Sequence, residues 1–328
     1  KEVREFDGRR YVLEKAIKLD YALLRAYRAD RAGNVQFRGG SQNLNPAFAK
    51  AARHTIVEVD EVVEVGGIPP ELINLPGIFV SRVVKSTYPF DPKQTPQSNR
   101  RPADKPREYN GKPALTRAGI AKRAAALVNE GSYVNLGTGI PTMVSNYLEG
   151  RDVVLHAENG VLGYGKMVSG DKVDPDMYNA SGQYIELVPG ASFFDSVTSF
   201  EMARGGRIQT VILGAYEVDE TGSVANWSTS DAKRGGIGGA MDLISGGTDL
   251  VIVMEHCDSK GRPKLKKKCG YPLTGKNCVK YVVTDLALLK WENGGFVLLE
   301  TAPGFTAQEV MALSEMKCTP AAQVKPMA

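Results

Sequence analysis

Residues 153–165, with the sequence VVLHAENGVLGYG, decide how the centre of this chain folds. Val153, Val154 and Leu155 predict a short buried strand. The polar, glycine-bearing turn after it places Glu158 at the carboxyl edge of a sheet, where ligands of open α/β proteins bind. A carboxylate is disfavoured there unless a partner or a reaction uses it. Glu158 is therefore the first candidate for a chemically active group. The alternative is a structural carboxylate that caps the turn or pairs with an arginine.

The segments around this stretch predict an α/β fold. A strand over residues 133–136, a glycine-rich loop and a helix precede the strand at 153, an order that implies parallel pairing with a right-handed crossover. Further strands are predicted near residues 184–188, 210–213, 250–254, 279–284 and 296–299. Helices are predicted over residues 116–130, 142–148, 200–204 and 306–314. We expect an open, mainly parallel sheet with helices on both faces.

The chain divides by composition into two units joined by a proline-rich linker. Residues 1–86 form the first unit, in which the periodicity predicts strands at 10–13, 34–37 and 55–65 and a helix at 46–52. Residues 21–28 fit either a strand or a helix. Residues 87–113 contain six prolines, lack periodicity and are predicted to be an extended linker. Residues 114–328 form the main domain.

Composition excludes several classes of partner. The 41 basic and 37 acidic residues nearly cancel, which argues against nucleic acid binding. No apolar run approaches the ~20 residues of a membrane helix. The four cysteines form no CxxC pair and fit no common zinc spacing. Free thiols in a reducing compartment are favoured over a zinc site, which indicates the cytoplasm or, alternatively, the mitochondrial matrix.

Three further motifs each leave two interpretations open. The loop at residues 135–141 could present backbone N–H groups to a phosphate or carboxylate, or it could be a plain tight turn. The glycines within residues 233–242 could form an oxyanion pocket or a flexible loop before a helix. The lysines of residues 264–268 could meet a nucleotide's phosphates or lie on a solvated loop.

Taken in order, these segments resemble one family. Residues 135–141, 158–163, 189–194, 238–243 and 272–275 are similar to the β half of family I CoA-transferases, most closely to those that act on 3-oxoacids. Residues 29–34 and 56–60 resemble the second half of that family's α domain. The resemblance covers nearly the whole chain apart from the linker.

The resemblance implies a set of site residues. Glu158 matches the family's catalytic glutamate, which carries a glutamyl-CoA thioester. Gly239 matches the glycine whose backbone N–H serves the oxyanion site, and Asn135 matches the asparagine that lines the pocket. Five neighbours are assigned to substrate or CoA binding: Gly137, Gly139, Asn159, Gly238 and Ala240. The CoA thioester is a substrate, and no metal or other cofactor is implied.

The implied activity is transfer of CoA from an acyl-CoA, such as succinyl-CoA or acetyl-CoA, to a 3-oxoacid such as acetoacetate. The alternatives are an acyl-CoA hydrolase on the same scaffold and a non-catalytic binding module. The first half of the family's α domain has no counterpart here. We therefore expect a fragment, or a chain that works with a separate α chain in a homo- or hetero-oligomer.

The sequence departs from the family pattern at two positions beside the site. Ala157 stands where the family often has serine before the glutamate, and Lys166 stands where a proline is common. Residues 166–179 differ most from the family. Acyl specificity is predicted to be set in that segment.

Overall fold

The computed structural model describes residues 1–88, 104–229 and 236–327. The chain divides between residues 91 and 92 into two compact units. Each unit has its own elements and its own core and is described by itself.

Within residues 1–88, the N-terminal unit is a small sheet with one α-helix, α1 (Asn45–Ala51). Short 3-10 turns lie at Gly39–Ser41, Pro70–Leu72 and Gly77–Phe79. Its strands are β1 (Val3–Phe6), β2 (Arg9–Val12), β3 (Leu19–Asp30), β4 (Val35–Gln36), β5 (Ala52–Val63) and β6 (Arg82–Lys85). Strands β3, β5 and β6 pair in parallel, β4 pairs antiparallel with β3, and β1 and β2 form a separate hairpin.

Residues 21–28, which the sequence left ambiguous, belong to strand β3. Ala22, Leu24 and Ala26 are buried, whereas Leu23 is 77% exposed and Tyr21 is 64% exposed. This alternation has the period of two that a strand requires. The buried residues pack with Val57 and the rest of a compact core on one face of the sheet.

The C-terminal unit contains the large sheet. Its α-helices are α2 (Arg117–Ala125), α3 (Ser196–Arg204), α4 (Ala240–Leu243) and α5 (Ala307–Ala312), with 3-10 turns at Pro141–Tyr147 and Gly170–Lys172. Its strands are β7 (Glu108–Tyr109), β8 (Lys112–Pro113), β9 (Ser132–Leu136), β10 (Val153–Ala157), β11 (Val161–Met167), β12 (Ile185–Phe193), β13 (Thr210–Leu213), β14 (Glu217–Asp219), β15 (Val224–Ala225), β16 (Asp249–Val253), β17 (Leu265–Lys266), β18 (Val279–Val283), β19 (Ala287–Glu292), β20 (Gly295–Thr301) and β21 (Cys318–Pro326).

Ten of these strands form one mixed sheet in the order β12-β11-β10-β9-β13-β16-β18-β19-β20-β21. Strands β10, β9, β13, β16 and β18 are parallel to their neighbours within this run. Antiparallel strands flank them on both sides, and β21 adds a last parallel pair. The prediction of a mainly parallel sheet is confirmed.

Helices cover both faces of this sheet. Successive side chains of its central strands therefore enter two different cores, one on each face. Val211 and Leu213 of β13 enter one core, together with residues of α3, α4 and α5. Ile212, between them, enters a second core with residues of α2. A strand buried on both faces needs apolar residues throughout, and β13 has a threonine followed by three of them.

Several predicted boundaries were wrong. The helix predicted over 116–130 ends at Ala125, and the helix predicted over 142–148 is a 3-10 turn. Strands β11, β19 and β21 were missed. Glycines interrupt β11, and β21 is partly or fully exposed along its length, so neither shows the continuous apolar run of a central strand.

The predicted linker lies partly outside the described residues. Residues 104–113 are described and are bonded within the C-terminal unit. Asp104 accepts hydrogen bonds from the backbone N–H groups of Arg117 and Ala118, and the Tyr109 hydroxyl donates to Asp285 over 3.0 Å. The N-terminal end of the main domain therefore extends at least to residue 104.

None of the helices within residues 1–88, 104–229 and 236–327 has both the length and the apolar character needed to cross a bilayer. Cys257, Cys269, Cys278 and Cys318 are free thiols. Across the same ranges, no cluster of three or more histidine, cysteine, aspartate or glutamate side chains could hold a metal ion.

Candidate active site

A tight hairpin places Glu158 at the carboxyl edge of the sheet. Strand β10 ends at Ala157 and turns into the antiparallel strand β11, with Ala157 opposite Val161. Gly160 makes this turn possible, because its φ is +110° and a Cβ there would lie 1.9 Å from the Phe194 carbonyl oxygen. Any other residue would force the hairpin or the Phe194 backbone to shift.

The neighbouring strand brings Asn135 to Glu158. Strands β9 and β10 are parallel, and Asn135 is in register with His156. The Asn135 Nδ2 donates to Glu158 Oε2 over 3.3 Å. Asn135 is fully buried, so this amide is a fixed hydrogen-bond donor rather than a mobile surface group.

Glu158 lines a cavity of about 370 Å³. Four of the predicted site residues line it as well: Gly137, Gly238, Gly239 and Ala240. The rest of the lining includes residues 213–216, Asn226 and Trp227. Residues 230–235, including the beginning of the predicted glycine loop at 233–235, lie outside the described residues. A volume of this size suits a small-molecule ligand.

Gly239 lies close to Glu158 and cannot carry a side chain without rearrangement. A Cβ at Gly239 would lie 2.7 Å from Phe200 Cζ and 3.9 Å from Glu158 Cγ. Phe200 belongs to helix α3, and Gly239 immediately precedes α4. The packing of these two helices therefore holds the backbone of Gly239 beside the carboxylate.

Burial and hydrogen bonding, rather than an ion pair with a described lysine or arginine, set the electrostatic environment of Glu158. Burial raises the pKa of Glu158 above its ordinary value, while its own backbone N–H and the Asn135 amide oppose that rise. No lysine or arginine forms an ion pair with Glu158 within the part of the chain that the structure describes. The alternative of a glutamate locked to an arginine has no support among those residues.

Three predicted site residues are not among the lining residues of this cavity: Asn135, which is buried beside Glu158, and Gly139 and Asn159, which lie elsewhere. Gly139 lines a separate cavity of about 350 Å³ together with Arg117 and Met143. Asn159 is buried, and its Nδ2 donates over 3.0 Å to the carbonyl of Tyr178. Asn159 thus ties the 166–179 segment to the hairpin.

The lysine cluster at 264–268 is not uniformly solvated. Lys264 is partly buried, and this burial lowers its pKa to about 8. Lys266 forms an ion pair with Glu315 at 2.6 Å. Both lysines line a third cavity of about 250 Å³.

The sequence interpretation missed His156 and Ser199. His156 is fully buried, with its Nδ1 3.0 Å from Asn135 Nδ2 and its Nε2 2.9 Å from Ser199 Oγ. The available signal was a histidine two residues before the candidate glutamate, inside an otherwise apolar strand. Only the register of β9 and the position of α3 identify its partners.

The comparisons with known proteins bear on this arrangement. The family model described as Coenzyme A transferase matches residues 1–86 and 118–313. This chain belongs to the coenzyme A transferase family. The family resemblance inferred from the five ordered motifs is confirmed.

Individual relatives agree with the family assignment. The chain is 42% identical over 330 residues to the mitochondrial succinyl-CoA:3-ketoacid coenzyme A transferase 2B of Mus musculus, covering all of this chain and 63% of that relative. It is 45% identical over 199 residues to one subunit of the succinyl-CoA:3-ketoacid coenzyme A transferase of Helicobacter pylori, covering 61% of this chain and 96% of that relative. This coenzyme A transferase chain therefore spans less than two thirds of the mouse relative.

A solved structure supports the fold. The acyl-CoA transferase YdiF from Escherichia coli O157:H7, as the apoenzyme, superposes with a TM-score of 0.76 at 20% identity. The superposition covers all of this coenzyme A transferase chain and 66% of that structure. At this level of identity, the likeness concerns the fold alone.

Proposed function

We propose that this chain carries the catalytic glutamate of a 3-oxoacid CoA-transferase, with Glu158 as the nucleophile. The observation that carries the proposal is the position of Glu158: partly buried, unpaired by any described cation, hydrogen bonded to Asn135 and open to a cavity. The relatives named for succinyl-CoA and 3-ketoacids supply the substrate class.

The proposed reaction has two half-reactions. A Glu158 oxygen attacks the acyl-CoA carbonyl and displaces CoA thiolate, which leaves a mixed anhydride. The thiolate then attacks the glutamyl carbonyl, so that a glutamyl-CoA thioester forms and the first carboxylate leaves. A second carboxylate, such as acetoacetate, reverses both steps and departs as the new acyl-CoA.

In this scheme the protein stabilises the developing negative charge and orients the reacting groups. In this proposal the backbone N–H of Gly239, beside Glu158, stabilises the oxyanion that develops during attack, and the loss of such a donor typically costs ~3 kcal/mol of transition-state stabilisation. The Asn135 amide holds the Glu158 carboxylate in one orientation. Binding energy from the remote CoA nucleotide holds the thioester against the nucleophile.

Intact mass spectrometry after incubation with succinyl-CoA or acetyl-CoA tests this proposal. We expect a covalent CoA adduct that maps to Glu158 and disappears in Glu158→Gln. The matched control is Glu217→Gln, because Glu217 is a buried glutamate whose carboxylate accepts backbone N–H groups from Gly270 and Tyr271. An adduct on another residue would remove Glu158 from the proposed role.

The hydrolase alternative differs in its acceptor. A transferase requires an added carboxylate for turnover, whereas a hydrolase releases CoA with water alone. Release of CoA at the same rate with and without acetoacetate would favour the hydrolase. Retained CoA binding with no adduct would favour a non-catalytic module.

We also propose that a further CoA-transferase segment completes the enzyme, either on the same polypeptide or as a separate α-type chain within an oligomer. The proposal is supported by the 63% coverage of the mouse relative and by the name of the bacterial one, which describes it as a subunit. Mass analysis of native material is expected to show a longer polypeptide or a co-purifying chain. A lone, fully active chain of 328 residues would contradict it.

The compartment is proposed to be the cytoplasm or the mitochondrial matrix. The mouse relative is named as mitochondrial. Cell fractionation followed by detection of the native protein distinguishes the two.

A further inference from the structure

His156 is the buried link between the helix behind the sheet and the amide that contacts Glu158. Its ring is 0% exposed and stacks on Phe194, with ring centroids 6.3 Å apart and planes 15° from parallel. Burial lowers the pKa of His156 to about 4, so the imidazole is neutral near pH 7. A neutral imidazole donates from one nitrogen and accepts at the other.

The partners of the two ring nitrogens decide which one donates. On one side, Nδ1 faces Asn135 Nδ2 at 3.0 Å, and an amide nitrogen can only donate. The same Nδ2 also donates to the backbone carbonyl oxygen of His156 over 3.2 Å. On the other side, Nε2 faces the Ser199 hydroxyl at 2.9 Å, which can accept. These contacts are satisfied together when Nε2 carries the hydrogen and Nδ1 is the acceptor.

The opposite tautomer of His156, with the hydrogen on Nδ1, would favour the reversed orientation of the Asn135 side-chain amide. With the hydrogen on Nδ1, the ring would set a donor against Asn135 Nδ2, and only a turned amide could offer it an acceptor. A turned amide would place its carbonyl oxygen 3.2 Å from the backbone carbonyl oxygen of His156, where Nδ2 now donates. The amide oxygen would then also occupy the position 3.3 Å from Glu158 Oε2 that Nδ2 holds. An oxygen there would repel the carboxylate instead of donating to it. The two ends of a primary amide have nearly the same shape, so sterics alone do not choose between them.

We propose that His156 is a positioning residue for the transfer reaction: Ser199 fixes its Nε2–H tautomer, and its Nδ1 orients the Asn135 amide so that Nδ2 donates to Glu158. The kinetic consequence rests on the proposed function of Glu158. The orientation itself is a property of three buried side chains and can be measured without any substrate.

The kinetic experiment is a double-mutant cycle with His156→Leu and Asn135→Ala in the complete enzyme. His156→Leu alone is expected to lower kcat by about 10- to 100-fold, the size of a hydrogen bond to a charged group, with KM changing far less. In the Asn135→Ala background, His156→Leu is expected to have almost no further effect, because the histidine acts through the amide. Losses in kcat that multiply independently would overturn the proposal.

Two further variants separate positioning from packing. His156→Gln can accept at its amide oxygen and donate from its amide nitrogen, so it is expected to recover most of the kcat that His156→Leu loses. The control is His256→Leu: His256 is also 0% exposed and lies 3.0 Å from the Thr284 and Ser314 hydroxyls. Its loss is expected to lower the melting temperature without lowering kcat per folded molecule. A Gln variant as impaired as the Leu variant would contradict positioning.

Nitrogen-15 NMR of labelled histidine provides the readout that does not depend on activity. The chain has three histidines, so single substitutions assign their signals. We expect His156 at pH 7 to be neutral, with hydrogen on Nε2 and none on Nδ1, and to lose this fixed pattern in Ser199→Ala. A ring protonated on Nδ1 would overturn the proposal. If no CoA transfer is found with any carboxylate, the proposed function fails, while this spectrum still decides the orientation of Asn135.

Discussion

At the scale of single residues, two opposing effects set the pKa of Glu158: burial raises it, and hydrogen bonds to the carboxylate lower it. Removal from water favours the neutral acid of Glu158, and the donors around it favour the ion. A carboxylate that is desolvated but ionised is a better nucleophile than one in water. Asn135 contributes to this balance because its Nδ2 donates to the charged form.

The pH dependence of the first half-reaction should report that balance. Attack requires the ionised carboxylate, so the rate of thioester formation is expected to rise with pH through the raised pKa of Glu158 and then level off. Asn135→Ala removes a bond to the charged form and should raise this pKa further. The acid limb of the rate profile is expected to move to higher pH. A limb that stays in place, or moves to lower pH, would show that Asn135 does not stabilise the ion.

The same shift makes a prediction about stability. Because the pKa of Glu158 is higher in the folded than in the unfolded state, its ionised form destabilises the fold at pH values above the folded pKa. Glu158→Gln is therefore expected to raise the melting temperature at pH 7. The gain should shrink as the pH falls toward the unfolded value of about 4.3. Glu217→Gln is the contrasting control: an amide oxygen accepts the N–H groups of Gly270 and Tyr271 less strongly than a carboxylate does, so the melting temperature should fall. A Glu158→Gln protein that is less stable at pH 7 would contradict the assignment.

At the scale of elements, the site depends on two helices that meet beside the sheet edge. Helix α3 carries both Ser199, which contacts His156, and Phe200, which packs against Gly239. A single turn of α3 therefore fixes both the amide behind Glu158 and the backbone beside it. Displacement of this turn would disturb both at once.

Adding one methyl group at Gly239 tests this packing. Gly239→Ala would place a Cβ 2.7 Å from the Phe200 ring, so either the ring or the Gly239 backbone must move. We expect a fall in kcat of roughly 100-fold, comparable to the loss of an oxyanion donor. Gly295→Ala is the control outside the cavity, because a Cβ there would meet no atom of the described residues within 4 Å.

A second substitution distinguishes space from backbone freedom. Phe200→Leu in the Gly239→Ala background removes the ring that the methyl group would strike. Much of the lost kcat should return. If kcat instead stays as low as in Gly239→Ala, crowding by Phe200 is not the cause.

At the scale of the whole molecule, the two units have separate cores. Val57 is 0% exposed in the core of the N-terminal unit, and Val211 is 0% exposed in one of the two cores of the C-terminal unit. The local stability of each unit should therefore depend mainly on its own apolar contacts.

Hydrogen exchange tests this independence. Val57→Ala is expected to destabilise the N-terminal unit by about 2 kcal/mol through the cavity it leaves. Amide exchange should become faster in the peptides of residues 1–88, with little change in those of residues 104–327. Val211→Ala should give the reverse pattern. Equal acceleration in both units would show that they unfold as one.

The sequence predicted those strands best that are buried on both faces. Strand β13 was predicted with the bounds found, Thr210–Leu213, because three apolar residues in a row suit a strand covered on both faces. Strand β11 was missed because Gly163 and Gly165 break its pattern. A Cβ at Gly163 would lie 3.0 Å from Ala191 Cα, so close approach of strand β12 explains that glycine.

The sequence by itself determined the family, the order of the central elements and the glutamate at the end of a strand, because each is written in a contiguous motif. Tertiary structure decided what surrounds that glutamate. Asn135 and Ser199 lie 21 and 43 residues from His156 along the chain, and the three meet only through the register of β9 with β10 and the placement of α3. Hydrogen bonds between distant side chains depend on three-dimensional register to within a fraction of an ångström, and residue spacing along a chain does not encode that distance.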